Sequence, residues 1–70
     1  MQVTKLAPLT DAQNNVIEPA GIQILYFEDG YQWCETRRPV GDGNVKRTIR
    51  NVTTGAEEVA VVAADTLPAV

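Results

Sequence analysis

Apolar and polar residues do not recur at helical spacing over any sustained window of this chain. What does recur is extended chain broken by turn signals, at Asn14-Asn15, Asp29-Gly30, Gly41-Asp42-Gly43-Asn44 and Thr54-Gly55. Their spacing, roughly a strand and a turn, predicts antiparallel strands near residues 22–28, 31–38, 45–53 and 57–65. The earlier stretch VTKLAPL reads as one more short strand. Pro8 cannot donate to a ladder, so this strand belongs at an edge. TDAQNNVIEP allows two readings. Thr10 with Gln13 can cap a single helical turn, and the Asn pair before Val16-Ile17 can turn a hairpin loop, which is preferred here.

Asp29-Gly30 is a strong hairpin signal, because a two-residue type I′ turn needs positive φ at both central positions. A hairpin closed there sets Glu28 opposite Tyr31, Tyr26 opposite Trp33, Ile24 opposite Glu35 and Ile22 opposite Arg37. One face then carries Ile22, Ile24, Tyr26, Tyr31 and Trp33. The other carries Leu25, Phe27 and Cys34 among Gln23, Gln32 and Thr36. A turn centred on Asp42-Gly43 is expected to set Val40 opposite Val45, Arg38 opposite Arg47, Thr36 opposite Ile49 and Glu35 opposite Arg50. In that register Glu35 pairs with Arg50, while Arg38 and Arg47 repel and turn towards acidic groups elsewhere, another chain included. The last strand lies in EEVAVVAADTL. Its run VAVVAA does not alternate and reads as chain covered on both sides.

An all-β fold follows: a small antiparallel meander, or a partly open barrel of the SH3-like or OB-like kind, with four to six short strands and little or no helix. Valine, isoleucine and threonine supply 20 of the 70 residues, which suits strands. Seventy residues make one domain. Residues 1–20 are expected as an N-terminal strand and loop, 21–66 as the meander and 67–70 as a tail. A chain this short buries only about 60% of its unfolded surface, so it needs a staple or a partner. Cys34 is the only cysteine and there is no histidine, so neither an internal disulfide nor the usual zinc framework is open to it. Eight of the hydrophobic residues are alanines, which keeps the core light. Association with other chains, or an efficient small core, is the remaining remedy, and association leads.

The formal net charge is −3, unevenly spread. Arg37, Arg38, Lys46, Arg47 and Arg50 fall in one stretch opposed only by Asp42. Charge polarised in this way guides how surfaces meet. Together with Tyr31 and Trp33, these five basic residues are the candidate partner-contact set. The same set supports a second reading, a small barrel that stacks single-stranded nucleic acid on aromatics beside a basic groove. The negative net charge opposes it.

Catalysis finds little to work with. The chain has no serine and no histidine, so Cys34 lacks the usual activating base and suits a small strand hydrophobe better. Glu28-Asp29 and Glu57-Glu58 are adjacent pairs whose side chains point to opposite faces of a strand. GDGN is too short for a phosphate loop and lacks the alternating carboxylates of a calcium loop. No catalytic, cofactor-binding or metal-binding residue is assigned, and no small-molecule substrate is expected. No signal peptide or membrane-length apolar run is seen, which places the chain in a virion or a host cytoplasm and not in a membrane. The expectation is a non-enzymatic structural or docking module acting through other protein chains, by self-association or in a larger assembly. The concrete form is a virion component, a bacteriophage head or tail accessory or minor capsid protein. A nucleic-acid-binding barrel is the alternative, and a small inhibitor docking on a host enzyme is the third reading.

Overall fold

Two tight turns organise the sheet. In the computed structural model, which describes residues 1–69, Asp29 and Gly30 have φ of 53° and 80°, and Asp42 and Gly43 have 55° and 74°. These are the paired positive values of type I′ hairpins, which match the twist of the strands they join. Around them form β1 (Gln2–Leu6), β2 (Leu9–Thr10), β3 (Val16–Glu18), β4 (Gly21–Glu28), β5 (Tyr31–Gly41), β6 (Asn44–Asn51) and β7 (Glu57–Ala63). One 3-10 turn follows at Ala64–Thr66. β1, β4, β5, β6 and β7 lie side by side in that order in one antiparallel sheet, and β2 pairs with β3 as a separate arm. The fold is all-β, a meander from β4 to β7 with β1 added beside β4, and the sheet stays open instead of closing into a barrel.

The β4–β5 register is the expected one, from Ile22 opposite Arg37 to Glu28 opposite Tyr31. The β5–β6 register is not. Gly41 pairs with Asn44 as the turn requires, but Pro39 then faces Val45, so Val40 is an extra residue. A bulge takes up this extra residue between Pro39 and the turn. Every pair beyond the bulge shifts by one. Arg37 lies opposite Arg47, Arg38 opposite Lys46, Glu35 opposite Ile49 and Cys34 opposite Arg50. The expected Arg38–Arg47 opposition and Glu35–Arg50 ion pair are both replaced.

Residues 1–20 hold more structure than a strand and loop. β1 is at an edge as expected, but it ends at Leu6 and leaves Pro8 outside it, and the next residues fold into the β2–β3 hairpin. Asp11 makes its turn: Oδ1 accepts the N–H groups of Gln13 and Asn15 at 2.9 Å each, and its C=O accepts the Asn14 N–H at 3.0 Å. The hairpin loop is the reading that holds. β6 stops at Asn51, whose Oδ1 accepts the N–H groups of Thr53 and Thr54 at 3.0 Å each and turns the chain two residues earlier than expected. Of the expected tail, Leu67–Ala69 folds back over one face, where the Pro68 C=O accepts from Arg37 Nη1 at 2.9 Å, and Val70 lies outside the described residues.

Gly21 opens β4 for a steric reason. A Cβ there would sit 2.1 Å from the Arg37 carbonyl oxygen of β5, so no larger residue fits without parting the strands. The core is small. Ile24, 3% exposed, is the one buried hydrophobic among the described residues, and the other buried residues are Glu35, Arg38 and Asn51. The molecule is a slab of 41 × 28 × 19 Å with a radius of gyration of 13.0 Å. A compact chain of this length has a radius of gyration of about 11 Å. Its accessible surface is 4944 Å². Size scaling gives about 4,300 Å² for a folded monomer of this mass.

Candidate protein contact surface

The register divides the candidate residues between two faces. Tyr31, Trp33, Arg37 and Arg47 share one with Ile22, Ile24, Tyr26, Glu35 and Ile49, while Arg38, Lys46 and Arg50 lie on the other with Leu25, Phe27 and Cys34. The seven residues therefore do not make one patch.

Most of the basic groups are engaged within the chain. Glu35 is 3% exposed and accepts from two guanidiniums, Arg37 Nε and Arg47 Nη2, the latter at 2.9 Å. Burial by itself would raise the Glu35 pKa. The contacts with Arg47 and Arg37 outweigh it and hold the carboxyl below the ordinary glutamate value. The same hydrogen bond, donated by Arg47 to Glu35, raises the pKa of Arg47. On the opposite face Glu18 of β3 meets Lys46 at 2.7 Å and Arg38 at 3.4 Å. Its pKa is lowered by the Lys46 hydrogen bond first. Arg38 Nη1 also donates to the Pro19 C=O at 2.6 Å and the Ala7 C=O at 3.2 Å, so this buried side chain fastens the β2–β3 arm to the sheet. The acidic partners that Arg38 and Arg47 were expected to seek on another chain are supplied by Glu18 and Glu35 of their own. That outcome withdraws these two arginines as free contact groups.

Tyr31 and Arg50 remain on the surface, and Trp33 is half-buried. The Tyr31 and Trp33 rings meet edge to face, 6.4 Å apart at 70°, and Trp33 Nε1 donates to the Glu28 C=O at 3.2 Å. The hairpin end is thus an aromatic corner, with Phe27, 79% exposed, on its other side. A hollow of about 380 Å³ lies beside it, lined by Ile24, Tyr26, Phe27, Glu35, Arg37 and Pro68 among others. Among the described residues no three Cys, Asp or Glu side chains gather as metal ligands would. Among the same residues no helix is long and apolar enough to cross a membrane.

The largest exposed apolar features include residues outside the candidate set. Leu9, Val16 and Ile17 lie open on the arm, and on β7 Val59 and Val61 are 53% and 62% exposed. The signal for β7 was present in VAVVAA, whose pattern implies cover on both sides; within this chain that cover is absent, and β7 is also an edge strand. Nothing in the spacing marked Phe27, since an aromatic one residue short of a hairpin turn reads the same whether covered or bare. Comparison with known proteins finds no matching family model, no matching curated protein and no matching solved structure.

Proposed function

We propose that this chain is a non-enzymatic structural or docking module that works by contact with other protein chains. Within that class we favour a small component of a viral particle, such as a bacteriophage head or tail accessory protein. The observation that carries the wider reading is the open slab itself: one buried hydrophobic among the described residues against a row of bare ones, Phe27, Val59, Val61 and Ile17 among them. A monomer rarely leaves that much apolar surface uncovered without a partner to meet it. The narrower reading draws on the small core, the absence of serine and histidine, and the uneven charge.

The nucleic-acid alternative loses most of its support, because Arg37, Arg38, Lys46 and Arg47 are held by Glu35 and Glu18. The test of both levels is proteomic. Lysates of the cell that carries the gene are separated by density gradient, with and without induced phage particles, and the chain is quantified by mass spectrometry in each fraction. Cosedimentation with particles at a fixed ratio to their major protein is expected. Recovery only in a non-viral complex would overturn the narrower reading, and recovery only as a free chain would overturn both.

A further inference from the structure

We propose that β7 pairs edge to edge with β7 of a second copy of this chain, antiparallel about a two-fold axis at Ala60, joining two five-stranded sheets into one. This rests on the contact-module reading and names the contact. The sheet has two free edges, β1 and β7. Natural edges are blunted by lysine, proline, bulges or short length. β1 is five residues long and carries Lys5. β7 is seven residues long, has no charge from Val59 to Ala63 and no proline, and pairs with β6 without a bulge.

The direction of its free backbone groups follows from the ladder. The Ala64 N–H donates to the Gly43 C=O, so residue 64 faces β6, and alternation turns Glu58, Ala60 and Val62 the same way. Glu57, Val59, Val61 and Ala63 therefore direct their N–H and C=O groups outward. In the full-length antiparallel register Glu57 faces Ala63 of the second copy, Glu58 faces Val62, Val59 faces Val61, and Ala60 faces Ala60. Every outward group then meets an outward group. The glutamates of the two copies lie at opposite ends, whereas a parallel pairing would set them side by side. Val-Ala-Val reads the same in both directions, and the small Ala60 pair occupies the axis. Rotation about an axis normal to the sheet keeps the faces continuous, so Val59 and Val61 of both copies form one apolar strip. The facing Val59 and Val61 side chains then pack against each other across the seam.

The test uses the full chain. Light scattering across a dilution series is expected to give twice the chain mass at high concentration, falling to the single mass on dilution. Val61→Pro removes an outward N–H and leaves the β6 ladder intact, so the variant is expected to keep its circular dichroism and stay at the single mass. Ala60→Pro removes an inward N–H and is expected to lose the fold. The register is read in a Cys34→Ala background. Ala60→Cys is expected to form a covalent dimer on mild oxidation, because facing residues at a non-hydrogen-bonded site bring their Cα atoms closest. Glu58→Cys is not. If Val61→Pro fails to fold, this cysteine pair still decides. A wild-type chain at single mass at every concentration overturns the proposal, as does a dimer that folded Val61→Pro leaves intact or equal cross-linking by both cysteines. A monomer that still cosediments with particles overturns the β7 pairing alone; a dimer found in no larger assembly overturns the particle reading alone.

Discussion

A carboxylate buried in a single sheet is costly unless cations meet it, and Arg37 and Arg47 both meet Glu35. Removing the charge leaves two guanidiniums crowded against each other across β5 and β6. Glu35→Gln is therefore expected to lower stability by roughly 3 kcal/mol, near the low end for a broken buried pair, because Arg47 still reaches solvent. Urea denaturation measures it. The pH dependence has a definite sign. Glu35 is held below its unfolded-state value, so its contribution is full above about pH 4.3 and is lost as pH falls through the lower folded value. Glu18 and Asp11 shift in the same direction, Asp11 through the backbone N–H of Asn15 first. Glu35→Gln should therefore flatten the acid limb of the stability curve without abolishing it. Cys34 offers a contrast. It is half-buried and accepts from Gln23 Nε2 at 3.1 Å, a contact that holds no charge in place. Cys34→Ala is expected to leave the fold and the particle mass unchanged in scattering. Loss of assembly in a folded variant would give the thiol a role.

Among the elements, the β2–β3 arm depends on very few contacts. Glu18 joins it to Lys46 and Arg38, and Arg38 adds two carbonyls at its base. Glu18→Ala is expected to speed amide exchange across residues 9–18 while β4, β5 and β6 keep their protection; unchanged arm protection would show that Arg38 alone suffices. This arm and the bulge mark where the sequence stopped being legible. The two Asp-Gly turns announce themselves because few other residue pairs take positive φ twice, and the first turn fixes the β4–β5 register at once. The second turn was equally visible. The slip at Val40 was not, because nothing in the spacing tells a regular ladder from one with a single extra residue beside the turn. That one residue moved Arg47 onto the face of Glu35 and regrouped the candidate site. Glu18 was invisible as a partner for the same reason: it is far from Arg38 and Lys46 in sequence and reaches them only once the arm folds over.

At the scale of the whole molecule, the slab is too thin to enclose a core of its own, and its apolar residues are set out along an edge, an arm and a corner. β7 leaves an apolar edge unpaired that a second copy would close. Residue-resolved hydrogen exchange tests this most directly, read at the amides of β7 over a range of protein concentrations. At low concentration Ala60 and Val62, which face β6, are expected to be protected, while Val59 and Val61 exchange freely. At high concentration all four are expected to be protected, as the second copy closes the edge. Val59 and Val61 amides that remain freely exchanging at every concentration would contradict it.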